Sequence, residues 1–216
     1  MNWTIEAVCT GTARPFNGAE TSAIMKRPRK GAVQVLADGF APDEQADRSV
    51  HGGAEMALHL YPLDDHVFWR GEIGDHPALA EPGSFGSNLA VAGLTEDMVH
   101  IGDRFRLGPG TTGALIEVSQ PRQPCWKIEH RFGHKGMVAT IIRTARCGWY
   151  FRVIEPGEVA AGDSLERIAT GVENWSVARV FRALVAGKGS AEDLAELAEL
   201  VTLSPKLRAR AAARRN

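Results

Sequence analysis

Residues 56–61 read MALHLY. Met56, Leu58 and Leu60 alternate with Ala57, His59 and Tyr61, a period of two that fits a β-strand and not a helix. Residues 149–154, WYFRVI, repeat the pattern, with Trp149, Phe151 and Val153 on one face and Tyr150, Arg152 and Ile154 on the other. Outward from these two, segments 3–10, 32–38, 87–92, 103–107, 114–119 and 163–168 read similarly between turns rich in glycine and proline. So many short strands predict a mainly β architecture, a closed barrel or a sandwich. A barrel has no open edge and leaves a mouth where loops converge. Two helices are expected inside this region. One is Leu63–Ile73; the other is Met137–Arg146, with Val138, Ile141, Ile142 and Ala145 on one face and Gly148 as the stop.

The texture changes near residue 170. Val177, Val180, Phe181, Leu184 and Val185 follow helical spacing, and Gly187 ends that helix. Ser190 and Asp193 read as a capping box for a second helix. Ser204, followed by Pro205, reads as the cap of a third, whose end carries Arg208, Arg210, Arg214 and Arg215. Dipole compensation and a solvated surface account for those arginines better than an anion site does. The chain therefore divides into a β domain over residues 1–170 and a three-helix extension over residues 171–216.

With 216 residues and a formal net charge of -1, the chain can bury a core and shows no bias toward nucleic acid or an anionic membrane. No apolar run approaches the roughly 20 residues of a membrane span. The N-terminus lacks the pattern of a secretory signal, so a cytoplasmic location is expected. The cysteines Cys9, Cys125 and Cys147 are odd in number and form no C-x-x-C pair, which argues against a disulfide framework or a structural zinc site.

Chemistry concentrates in three segments. SQPRQPCWK, residues 119–127, holds Cys125 on a loop stiffened by Pro121 and Pro124, with Arg122 and Lys127 close by. Nearby cations favour the thiolate, which can ligate a soft metal or act as a nucleophile. A buried, inert thiol is an equally weighted reading of the loop alone. Cys9, in a strand, and Cys147, near a helix end, read as structural. DEQADRSVHGGAEMALHLYP, residues 43–62, brings His51, Gly52 and Gly53 into a turn where backbone can approach a ligand, followed by His59 and Tyr61 on one strand face. His51, His59 and His66 match no common zinc spacing. PGSFGSNLAVAGL, residues 82–94, offers Ser84, Ser87 and Asn88 between glycines. No nucleotide-binding glycine fingerprint follows a strand.

In this order the segments resemble the MOSC (molybdenum cofactor sulfurase C-terminal) family, closely its YiiM-like branch. The stretches that carry the resemblance are SAIMK, DEQADRSVHGGAEMALHLYP, FGSNLAVAGLTEDMVHIGDRFRLG, IEVSQPRQPCWKI and CGWYFRVIEPGEVAAGDSLERI, within residues 22–168. The three-helix tail also resembles that branch. The resemblance implies a barrel of pyruvate-kinase type and a pyranopterin molybdenum cofactor with Cys125 as its protein ligand to the metal. It implies two-electron reduction of N-hydroxylated compounds, such as hydroxylaminopurine-type bases, and a detoxifying role. Lys26, Gly52, Gly53, Tyr61, Asn88, Gln120, Arg122 and Lys127 are the expected cofactor-binding residues. His59 and His51 are the expected catalytic partners of Cys125. With no flavin or iron–sulfur motif in the chain, a separate flavin or iron–sulfur reductase must supply electrons. The helical tail is open to docking such a partner or packing a homodimer. Where the branch usually has Gly-Glu-Asn, this chain has Gly86-Ser87-Asn88, which puts a pocket carboxylate in doubt. A sulfur or cofactor carrier using Cys125 without a redox cycle is the alternative, and a Cys–His hydrolase built from Cys125 with His51 or His59 is the third reading.

Overall fold

In the computed structural model, residues 1–46 and 52–214 are described. The strands are β1 (Asn2–Thr10), β2 (Arg14–Asn17), β3 (Glu20–Ser22), β4 (Arg27–Pro28), β5 (Val33–Leu36), β6 (Gly39–Phe40), β7 (Leu58–Pro62), β8 (Leu89–Val91), β9 (Arg104–Leu107), β10 (Ala114–Pro121), β11 (Trp149–Glu155), β12 (Gly157–Val159) and β13 (Ser164–Ala169). The helices are α1 (Leu63–Ile73), α2 (Trp126–Phe132), α3 (Met137–Thr144), α4 (Val177–Val180), α5 (Ala191–Glu199) and α6 (Pro205–Arg214).

Seven strands close a barrel in the order β1, β8, β7, β11, β10, β9, β13, with β13 returning to pair with β1. Every pairing in the ring is antiparallel except β7 with β8. A parallel neighbour needs a crossover, and α1 supplies part of it. The interior is filled by Ile5, Leu58, Leu60, Leu89, Phe105, Val118 and Phe151, all fully buried. This is the strand-rich barrel with short inserted helices that the alternating segments predict. β7 and β10 are buried at every position, not at every second one, because the helical regions cover their outer faces. On β10, Ser204 N donates to Ser119 O at 3.0 Å, so the start of α6 sits against that strand.

Several local readings are corrected. Met56 closes a 3-10 turn (Ala54–Met56) and does not open the strand. On α3 the buried face is Met137, Ile141 and Ala145, while Ile142 is exposed. Ala145 itself ends that helix in the left-handed region (φ 62°), three residues before the predicted stop. The helix at 177 passes into a π-type turn at Phe181–Val185. The Ser190–Asp193 capping box is present. Ser204 caps through its carbonyl, which accepts from Leu207 N and Arg208 N, and its buried hydroxyl has no partner among the described residues. β5 falls within the segment 32–38 read as a strand, whereas its sheet partners β6 and β12, the hairpin β2–β3, and α2 as an element had no clear periodicity in sequence. Among the described residues no helix is long and apolar enough to cross a membrane.

Candidate functional site

One cleft gathers the chemistry. It lies where the loop after β10, the start of β7, the segment after β3 and the turn before β8 converge, and its empty space, open mouth included, is about 670 Å³. Cys125 reaches it from the loop after β10. The residue is half-buried, stands at the N-cap position of α2 and makes no capping hydrogen bond with its thiol. The loop is pinned at its base by Arg122 N, which donates to Gly148 O at 3.0 Å.

Arg122 lines the same cleft and is 6% exposed. Its Nη2 lies 3.9 Å from Cys125 Sγ, and its guanidinium interacts with the Tyr150 hydroxyl. Among the described residues it forms no ion pair with a carboxylate. A buried ion left without a counter-charge is destabilising by on the order of 3–5 kcal/mol. The space beside Arg122 is therefore suited to an anion.

Opposite, a carboxylate is fully used. Asp43 Oδ1 accepts from Gly11 N at 2.8 Å; its Oδ2 accepts from Asn88 Nδ2 at 2.9 Å and pairs with Lys26 Nζ. Burial pulls the Lys26 ammonium below its ordinary pKa, and Asp43 pulls it back up. Asn88 holds the wall together. Its Oδ1 accepts from His59 N at 3.1 Å and its Nδ2 also donates to Cys9 O at 3.2 Å.

His59 lines the cleft and is nearly enclosed. Burial, and then the charge of Arg122, hold its pKa well below the usual imidazole value, so the ring is neutral. Its Nε2 has no hydrogen-bond partner among the described residues and packs against Gly148. A Cβ at Gly148 would come within 2.9 Å of that nitrogen and 2.5 Å of Leu60 O, so the close approach requires glycine there.

Of the residues singled out in sequence, Lys26, Gly52, His59, Asn88, Arg122, Cys125 and Lys127 line the cleft together. Three do not. Tyr61 is core: its ring stacks on Phe85 at 4.1 Å, its hydroxyl accepts from Trp69 Nε1 at 2.8 Å, and that hydroxyl donates to Arg146 O at 3.3 Å. Gln120 is buried on β10 away from the cleft, and Gly53 lies just outside it. His51 lies outside the described residues, as does Asp47. His66 is bonded through Nδ1 to Leu79 O at 3.1 Å, and the described residues hold no metal-ligating cluster of His, Cys, Asp and Glu. Cys9 and Cys147 are buried, with burial pushing the Cys9 thiol up to about 12 and Cys147 well above the usual thiol value. Ser87, which raised the question of a missing carboxylate, points away from the cleft and donates to Pro82 O at 3.0 Å. Sequence reasoning passed over Asp43, Tyr150 and Phe85 as cleft residues; Asp43 was visible only as an acid before a turn.

Residues 47–166 match the family model of the MOSC domain. The chain belongs to the MOSC family. YflK of Bacillus subtilis is 45% identical over 156 residues, covering 72% of this chain and 67% of the relative. YiiM of Escherichia coli is 38% identical over 162 residues, covering 75% and 70%. A Gibberella moniliformis protein named Reductase is 38% identical over 185 residues, which span 86% of this MOSC chain and only 32% of that protein. Among solved structures, YiiM from Geobacillus stearothermophilus superimposes with a TM-score of 0.81 at 28% identity, covering 99% of each chain. YiiM from Escherichia coli does so with 0.80 at 27% identity, covering 100% of this chain and 92% of the other. These relatives put the chain in the YiiM-like branch of a family associated in general with the molybdenum cofactor.

Proposed function

We propose that this MOSC chain is a molybdenum-cofactor-dependent reductase of N-hydroxylated compounds, hydroxylaminopurine-type bases among them, with Cys125 as the protein ligand to the metal. The observation that carries this reading is the Cys125 thiol facing a cleft beside a buried arginine that has no carboxylate partner among the described residues. A pyranopterin cofactor brings what such a site wants, a soft metal for the sulfur and an anionic phosphate for the cation. The name of the Gibberella relative adds support for a reductase.

Arg122 and Lys127 would hold the anionic end, and Cys125 Sγ would hold the metal. Lys127 is loosely occupied, donating to Thr21 O at 3.3 Å and standing 3.9 Å from Glu20. Gly52, whose Cβ would overlap Gln45, lets its backbone approach the rim closely. When bound, the cofactor supplies the two-electron step, for which the balance is R–NHOH + 2 e⁻ + 2 H⁺ giving R–NH₂ + H₂O. Lys26 Nζ is the cleft group best fitted to release a proton, since burial weakens its hold while Asp43 keeps it in place. The His59 ring, held neutral by burial, orients the substrate through the cleft wall. Electrons come from a separate flavin or iron–sulfur protein.

A Cys–His hydrolase is not favoured, because Arg122 and not an imidazole is the polar contact of Cys125 Sγ among the described residues. The deciding experiment expresses wild type and Cys125→Ala in a host that makes the cofactor. Molybdenum content is measured by mass spectrometry, and turnover is measured on a hydroxylaminopurine with a viologen donor. The variant is expected to stay folded, lose most of its metal and lose reduction altogether. Full activity in Cys125→Ala overturns the proposal. Stoichiometric cofactor in the wild type with no N–O reduction would favour the carrier.

A further inference from the structure

From Leu200 to Arg214 the chain carries Lys206, Arg208, Arg210 and Arg214 and no carboxylate, although its overall net charge is -1. Lys206, Arg210 and Arg214 are spaced by four and share one face of α6. Local physics does not account for this stripe. A cation in the last turn suits the helix dipole, which covers Arg214. Lys206 sits in the first turn, where no acid is present and the dipole disfavours a cation. Like charges four apart repel as well. None of Lys206, Arg208 and Arg210 forms an ion pair among the described residues, and Arg208 Nε is buried with no partner.

The stripe is also well placed. Arg210 Nη1 donates to Gln123 Oε1 at 2.9 Å, two residues before Cys125, and α6 begins against β10, the strand that leads into the cysteine loop.

We infer that the basic face of α6 docks an acidic electron-carrier protein beside the Cys125 loop. The inference rests on the reductase reading and names the kind of partner that feeds it. The carrier, reduced by its own reductase, gives up one electron per encounter and two per N–O bond cleaved. Acidic electron carriers dock through charge and release quickly, so a basic face whose Lys206 is exposed, and whose Arg210 and Arg214 bond only neutral oxygens of Gln123 and Leu184, fits a transient partner better than a permanent one.

The test uses the full-length holoenzyme and a plant-type [2Fe–2S] ferredoxin as the probe. Affinity is measured at low and moderate salt for wild type, for Lys206→Glu, whose side chain is exposed and unpaired, and for Lys206→Glu combined with Arg214→Glu. Wild type is expected to bind at low salt and weaken as salt rises, with the double variant weakened by about tenfold or more. Melting temperature checks that both variants fold, and viologen-driven turnover should not change. Ferredoxin binding that is absent in wild type, or equal in wild type and both variants, overturns the inference. Equal affinity for a duplex DNA of similar charge also overturns it, since the face would then be an unselective polyanion site. If viologen-driven reduction is absent while charge reversal still abolishes ferredoxin binding, the reductase reading fails and the docking face stands.

Discussion

Gly148 separates two clusters of unbalanced charge. On one side its carbonyl accepts from Arg122 N, and beyond lies the cleft, where a buried guanidinium has no carboxylate partner among the described residues. On the other side its N–H donates to Glu96 Oε1 at 2.7 Å, and beyond lie the buried carboxyls of Asp65 and Glu96, with Arg146 closing the group at its solvent edge. There two carboxyl groups share one arginine. Burial, and then the neighbouring Asp65, push Glu96 up to about 8, and burial also raises Asp65 against the pull of Arg146. Asp65 Oδ2 is buried with no hydrogen-bond partner among the described residues, so a proton shared between the two carboxyls relieves their repulsion. Surplus positive charge that faces open space can be completed by a ligand. Surplus negative charge with no access to one is neutralised by a proton. The same strand junction thus sets a charge imbalance that can take a ligand beside one that can take only a proton.

The contrast breaks most visibly at Arg122. Arg122→Gln should cut molybdenum retention by about 10- to 100-fold, measured by metal analysis after gel filtration. The metal-free variant should melt at the wild-type temperature or above it, because an uncompensated buried cation has gone. A large loss of metal-free stability would mean that the arginine is structural and that the two sides are alike.

Glu96→Gln sharpens the other side. Glu96 holds its proton more tightly folded than unfolded, so its contribution to stability is complete below its ordinary value of 4.5 and is lost as pH rises toward about 8. Wild-type unfolding free energy, followed by urea titration across that window, should fall with pH. The amide keeps the contacts without the titration, so the slope should flatten in the variant. An unchanged slope would place the shared proton elsewhere. The smallest effect is expected at His59, on the cleft side. His59→Gln should slow viologen-driven turnover by about tenfold without releasing metal, the size of an orienting contact and below that of a proton donor. A flat rate in this variant would make the ring mere packing.

The barrel was legible because alternation is local: β1, β7, β10 and β11 each announce themselves within a handful of residues. The cysteine loop was legible for the same reason, since Pro121, Arg122, Pro124 and Cys125 are close in sequence. What was hidden depends on distance along the chain. Lys26 meets Asp43 across 17 residues, and Asn88 meets Asp43 across 45. No pattern in either segment signals that bond. Tyr61 and His59 shared a strand face on paper, yet a stack on Phe85 turned one into core while the other stayed at the cleft. Burial of Arg122 could not be read either, since an arginine beside two prolines looks like any surface charge.

The ring of strands is joined by its first and last members, and this limits how the molecule can be divided. The stretch shared with the family model, residues 47–166, leaves out Asn2–Thr10, which is hydrogen-bonded to Leu89–Val91 on one flank and Ser164–Ala169 on the other. A fragment cloned to those borders would carry two raw seams of unpaired backbone, and seams of that kind stick to one another. Recognisable sequence and portable folding unit are different objects here, and transplanting the site into another scaffold means carrying the leading strand along.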